Sequence, residues 1–331
     1  MTRYLVTGAT GFVGARLVRM ILRRGGTVTA LARPSSRALA LRALGVQVVE
    51  GDLATGAGLT AAVRGADRVI HLAALVKARS SSDYWTVNRD GTARLVHELA
   101  AAPGPPRLVV CSSLAAAGPA PAHPGPVSQY GASKLAAEQA VREQAGRLPA
   151  IVLRPGIVYG PGEPALFPAL IPMIRRGLAV KTGLGPRRYC LLHVDDLCAA
   201  LLAAAERGTP LSPGDPGRGV YPICDGRVHD WTEICAALAQ VMGRRPPVVV
   251  SVPMGAVHVA AALTEIVARA RGRVPAFNRD KVREMRCASW TCSPEAIGVA
   301  VRELGHRPRI SLRQGLIATV AGHLHGEDLR T

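Results

Sequence analysis

Gly8, Gly11 and Gly14 lie three residues apart in the stretch TGATGFVG at 7–14, between an apolar run at 4–8 and an amphipathic run at 12–25. Nothing else in the chain restricts its fold so tightly. Glycine permits a tight turn and a close backbone approach that a Cβ would block. A helix beginning there aims its free N–H groups at an anion such as a pyrophosphate. A glycine triplet alone is weak evidence, but this one follows a strand pattern and opens a helix pattern. The same alternation continues. Apolar runs at 27–33, 46–52, 67–74, 106–113 and 150–156 read as strands, and a helix runs from Tyr130 to about residue 146. This alternation predicts an α/β fold with a doubly wound parallel sheet, whose ligands sit at the carboxyl ends of the strands.

Past residue 160 the regularity loosens. Prolines punctuate 160–177, a turn-rich connector occupies 208–219, and 193–208 reads as an amphipathic helix with Asp195 or Asp196 at its start. The expected division is a nucleotide-binding domain of 1–160 plus about 189–224, and a smaller substrate lobe of about 161–188 plus 225–331. With 331 residues, 48% of them apolar, the chain has ample material for both cores. The formal charge of +18 raises the question of nucleic acid, but the arginines are dispersed in singles and pairs, so no nucleic-acid partner is expected. Seven cysteines form no CxxC pair and no disulfide-like ladder, which fits free thiols in a reducing cytoplasm and no metal site. The most membrane-like stretch, 248–263, contains Pro253 and His258 and soon reaches Glu265. It predicts a buried or lipid-facing helix of the second lobe, near 254–268. No transmembrane span is expected, and peripheral contact with a membrane is left open.

Only four of the 41 basic residues are lysines, and one of them, Lys134, stands four positions after Tyr130. Residues i and i+4 share a helix face, so the two side chains address one site. A tyrosine with a pKa near ~10 is a poor proton donor near neutrality, and a neighbouring ammonium favours its phenolate and lowers that value.

The glycine spacing and YGASK at 130–134 occur with GDL at 51–53, HLAA at 71–74, VNRDGT at 87–92, SSLAAAG at 112–118, LRPGIVYGPG at 153–162 and HVDDL at 193–197. This ordered set resembles the extended short-chain dehydrogenases/reductases, the NAD(P)-dependent epimerase/dehydratase family. In detail it is similar to the dihydroflavonol-reductase and 3β-hydroxysteroid-dehydrogenase branch. The resemblance implies a Rossmann sheet with a C-terminal substrate lobe, and a homodimer formed through the helices after strands 4 and 5. It implies that Gly8, Thr10, Gly11, Phe12, Val13 and Gly14 hold the cofactor, with Asp52 and Leu53 beside the adenine. Ala73 would lie near the ribose or nicotinamide, and Pro155, Ile157 and Val158 beside the nicotinamide. Where NAD users carry an aspartate, this chain has Ala32 followed by Arg33. A guanidinium grips a 2′-phosphate that a carboxylate would repel, so the expected cofactor is NADPH/NADP+.

By the same resemblance Tyr130 delivers the proton, Lys134 tunes it and holds the ribose, and Ser113 steadies the substrate oxygen, with Ser112 as the alternative serine. Asn88 falls beside the site, and His193 is open to a substrate contact or a structural hydrogen bond. The implied activity is NADPH-dependent reduction of a small-molecule carbonyl, with hydrophobic character expected. Arg187 and Arg188 precede HVDDL much as a diphosphate-binding arginine does, which keeps a sugar-nucleotide epimerase or dehydratase as an alternative. A non-catalytic NADP(H)-binding sensor is the third reading.

Overall fold

The glycine turn joins a strand, β1 (Arg3–Thr7), to a helix, α1 (Phe12–Arg23), as the spacing predicts. In the computed structural model, which describes residues 1–119, 125–275 and 277–328, the alternation continues. It passes through β2 (Thr27–Ala32), α2 (Ser36–Ala43), β3 (Gln47–Glu50), α3 (Leu59–Val63) and β4 (Arg68–His71). A short helix α4 (Ser81–Tyr84) runs into a wide π-helical turn at Trp85–Asp90 and then α5 (Gly91–Ala100). β5 (Arg107–Cys111), α6 (Leu114–Ala117), α7 (Gln129–Arg142) and β6 (Ala150–Pro155) complete the half.

These strands form a parallel sheet in the order β11-β6-β5-β4-β1-β2-β3, where β11 is Val220–Ile223. Its strands are apolar on both faces because helices cover both. Val6, Ile70, Val109 and Ile151 face one core with Leu17, Ile21 and Leu201. Their neighbours Leu5, Val69, Leu108 and Val152 face the other, with Leu95, Leu99 and Val141. The strand order reverses between β1 and β4, and a crevice for a ligand opens at such a switch point.

The edge strand β11 lies beyond the expected six. It reads VYPI, and Pro222 breaks the strand pattern in the sequence. Proline cannot donate to a ladder, but an edge strand with only one neighbour tolerates it.

Between β6 and β11 lie β7 (Ile157–Tyr159), α8 (Leu166–Arg175), β8 (Leu178–Thr182), β9 (Arg188–Tyr189), β10 (Leu191–His193) and α9 (Val194–Arg207). Then follow β12 (His229–Asp230), α10 (Trp231–Val241), β13 (Val248–Val252), α11 (Met254–Ala270), α12 (Arg279–Arg286), β14 (Ser289–Trp290), α13 (Pro294–Leu304) and α14 (Leu312–Asp328). A separate core gathers Tyr159, Phe167, Leu170, Ile174, Leu191, Ile234, Leu238 and Leu316. The helix α13 packs Ala300 and Leu304 into the first core of the large sheet, against α9 and β11.

The apolar stretch at 248–263 is two elements. Its first five residues pair in parallel with Leu178–Thr182, and Pro253 separates them from α11. The helix is not the buried element the sequence allowed, since only Val257 and Ala261 are buried along it. Among the described residues no helix is long and apolar enough to cross a membrane.

Candidate active site

The turn after β1 needs its glycines. Gly8 has a φ of +71°, and a Cβ there would lie 2.7 Å from the Ala73 nitrogen, so the loops after β1 and β4 touch. A Cβ on Gly14 would lie 2.1 Å from the Gly8 carbonyl oxygen. Gly11 is the N-cap of α1 and offers no side chain to cap it, which leaves the first amide groups of the helix for an anion. Thr10, Phe12 and Val13 are half-buried around this opening, and Gly11 is exposed. The crowded backbone and the uncapped helix start, at the switch point of the sheet, fit a dinucleotide.

The remaining residues expected around the cofactor follow the strand ends. Ala32 is buried at the end of β2, and Arg33 is exposed immediately after it, with no ion-pair partner among the described residues. Asp52 fixes its own loop, accepting from the Ala54 amide at 2.8 Å while its N–H bonds the Ala57 carbonyl. Leu53 is buried against Gly91. Pro155 ends β6, and Ile157 and Val158 begin the pair with β10, where the Ile157 N–H reaches the Cys190 carbonyl at 2.9 Å.

Ser128 starts α7 by accepting from the Gly131 amide at 2.9 Å, which sets Tyr130 in the first turn and Lys134 one turn on. Ser113 caps α6 just beyond β5, accepting from the Ala115 amide at 3.1 Å. Its hydroxyl also faces the Tyr130 phenol, near enough to lower that group's pKa. Serine, tyrosine and lysine are therefore brought to one end of the sheet. The neighbouring Ser112 points elsewhere, donating to Glu138, which is itself held by Arg154 through a 3.0 Å bond from Nε. Ser112 thus braces β5 and β6 against α7 and leaves Ser113 as the serine that faces Tyr130.

The electrostatics differ from the sequence reading. Part of Tyr130 is open to solvent, yet enclosure of its phenol pushes the pKa well above the ordinary value, and the Glu284 charge adds to this. The Ser113 hydroxyl pulls the other way. Lys134 does not set the value in the protein alone, because its Nζ donates to the Cys111 carbonyl at 2.8 Å. Burial lowers the pKa of that amine. Nearby, His71 lies between Thr7 and Thr92, and full burial brings its pKa down to about 3.

Asn88 occupies the π-helical turn, which widens the helix where one side chain must reach two partners. Its Oδ1 accepts from the Leu75 amide at 2.7 Å, while Nδ2 donates to the Leu75 carbonyl and to Ser133 Oγ. It ties the loop after β4 to the helix of Tyr130, with both ends of its amide engaged. His193 caps α9 through Nδ1, 3.2 Å from the Asp195 amide, and is buried, which lowers its pKa against the pull of Asp195 and Asp196. Asp195 and Asp196 lie in the first turn of that helix. Arg187 is buried with its guanidinium directed to the backbone carbonyls of Thr182 and Arg286.

Two features escaped the sequence reading. Asp280, from α12, accepts the backbone N–H groups of Gln129 at 2.7 Å and Tyr130 at 3.1 Å, and Glu284 accepts from Ser128 at 2.8 Å. Acids 150 residues downstream in an arginine-rich helix carry no sequence signal for that contact. The second is the meeting of Cys190, Cys224 and Cys292, with sulfur atoms within 4.8 Å of one another beside Leu114. Their distant positions hid the grouping. Leu114, Cys190 and Cys224 are all buried in one small apolar cluster.

The model of the NAD-dependent epimerase/dehydratase family matches residues 4–216. A ceramide reductase of Caulobacter vibrioides is 35% identical over 298 residues, 89% of this chain and 88% of that protein. A 4-hydroxy-2-methyl-3-oxo-4-farnesyl-3,4-dihydroquinoline-1-oxide ketoreductase of Stigmatella aurantiaca is 31% identical and covers 96% of this chain and 95% of its own. Among solved structures, MoeE5 in complex with UDP-glucose and NAD superposes with a TM-score of 0.70 at 28% identity, covering 98% of this chain and 99% of its own.

Proposed function

From its membership of the NAD-dependent epimerase/dehydratase family, as an NAD(P)-dependent oxidoreductase of the extended short-chain dehydrogenase/reductase type, we propose that this chain reduces the ketone of a lipid-like substrate with NADPH. The observation that carries the reading is the meeting of Ser113 and Tyr130 beyond the end of β5, one helical turn from Lys134. NADPH, when bound, supplies the hydride. Ser113 donates to the carbonyl oxygen as negative charge develops there, and Tyr130 delivers the proton to it. Lys134, carried by the same helix, offsets the phenolate that remains and orients the ribose.

Arg33 supports the choice of NADPH, because a free guanidinium after Ala32 suits a 2′-phosphate. Arg33→Ala is expected to lower the NADPH-over-NADH ratio of kcat/KM roughly ten- to a hundredfold, the range for hydrogen bonds to a charged group. An unchanged ratio refutes this role. For the substrate, the ceramide and farnesyl-quinoline reductases are similar proteins that match 89% and 96% of the chain. Both act by name on molecules with long apolar portions.

A sugar-nucleotide epimerase is the second reading, favoured by the likeness to MoeE5. The burial of Arg187 against two backbone carbonyls weighs against it, since that guanidinium is already engaged. The deciding experiment follows NADPH consumption with long-chain keto-lipids and with UDP- and dTDP-sugars. Stoichiometric oxidation on a keto-lipid, nearly abolished in Tyr130→Phe with NADPH binding retained, is the expected result. Conversion of a nucleotide sugar without net cofactor consumption overturns the reductase in favour of the epimerase.

A further inference from the structure

Soluble helices hide their apolar stripe, and α11 displays one. Val259, Leu263, Ile266 and Val267 are 60%, 58%, 58% and 47% exposed, at spacings of four, three and one that place them on one face. Gly255, Ala256, Ala260 and Ala270 fill the same exposed surface without a charge among them. The opposite side is already satisfied, because Val257 and Ala261 pack on Val282 with Val252, Met254 and Phe277. The outward stripe is therefore surplus to folding.

The charges near it are basic. Arg269, Arg271 and Arg273 follow at the helix end, all exposed and in no salt bridge among the described residues. The only carboxylate in the helix, Glu265, is taken up by Arg279, through a 2.7 Å bond from its backbone amide and a 3.4 Å ion pair. An apolar face ending in uncompensated arginines matches a surface that is apolar inside and anionic outside. We propose that α11 is an interfacial helix that seats this protein on an anionic lipid bilayer, with Val259, Leu263, Ile266 and Val267 entering the acyl boundary and the three arginines lying among the head groups. A second copy of the chain is the poorer occupant, since each copy brings a formal charge of +18 and the same arginines to the contact. The proposal stands on this helix alone and does not depend on which substrate Tyr130 meets.

Co-sedimentation of the full chain with vesicles tests it. Equimolar phosphatidylglycerol/phosphatidylcholine vesicles are compared with pure phosphatidylcholine, at low salt and at about 0.5 M salt. The expected result is binding to the anionic vesicles that weakens with salt. Replacing Arg269, Arg271 and Arg273 by Ser together lowers the partition coefficient on the order of a hundredfold, from about fivefold per arginine. Leu263→Glu with Ile266→Glu abolishes binding. Unchanged NADPH binding and thermal midpoint in that double variant show that it folds, and a gentler Leu263→Gln serves if it does not. No vesicle binding by the parent protein overturns the proposal. So does equal binding to both vesicle types, or a dimer that dissociates when Leu263 and Ile266 are replaced.

Discussion

A proton donor that works near neutrality needs its pKa lowered, yet burial and then Glu284 push that of Tyr130 up. Glu284 is itself buried and sits between Ser128 and Lys281 Nζ, at 2.8 and 2.6 Å. The arrangement keeps the phenol protonated, as reduction requires, and disfavours the phenolate from which alcohol oxidation must start. Glu284→Gln keeps an acceptor for Ser128 while deleting the charge. A phenolate beside a neutral group is less disfavoured, so the Tyr130 pKa falls. In alcohol oxidation, where the phenolate takes the proton, the rise of kcat/KM with pH is then expected to begin at lower pH than in the parent protein. A pH–rate profile with an unmoved limb would refute the coupling of Glu284 to Tyr130.

At the scale of elements, the β1 turn and α1 form the most constrained unit. Gly14→Ala would put a methyl carbon 2.1 Å from the Gly8 oxygen, with backbone on both sides and no flexible neighbour to yield. The expected outcome is a lower thermal midpoint together with loss of NADPH binding measured by titration. A stable variant that binds normally would show that the turn relaxes. This unit was legible because glycines bounded by a strand and a helix have few alternative explanations. Other elements were not. The run at 248–263 is apolar throughout, and composition alone does not divide it into β13 and α11, although Pro253 marks the break. The strand β11 was obscured by Pro222, which is admissible only because the strand lies at an edge, and the edge is a property of the whole sheet. Ser112 and Ser113 are adjacent and alike in sequence; the end of β5 separates them, sending one to Glu138 and the other to Tyr130.

At the scale of the whole molecule, two buried or half-buried carboxylates of similar construction stitch distant segments together. Asp196, in α9, accepts the amides of Arg309 and Ile310, each at 3.0 Å, and anchors the chain entering α14. Asp280, in α12, accepts the amides of Gln129 and Tyr130 at the start of α7, where a negative charge also meets the positive end of the helix dipole. Removing either acceptor leaves two backbone donors unmatched. Asp196→Ala and Asp280→Ala are each expected to destabilise the fold by about 1.5–3 kcal/mol, the scale of hydrogen bonds to a charged group. Their effects on turnover should differ. Only Asp280 sets the first turn of the helix that carries Tyr130, so Asp280→Ala lowers kcat of the folded protein with NADPH affinity retained, whereas Asp196→Ala leaves kcat near that of the parent. Thermal midpoints together with kcat and the NADPH Kd of both variants separate the two roles. An equal loss of kcat in both, or in neither, would mean that the contact of α12 with α7 holds the fold without placing the tyrosine.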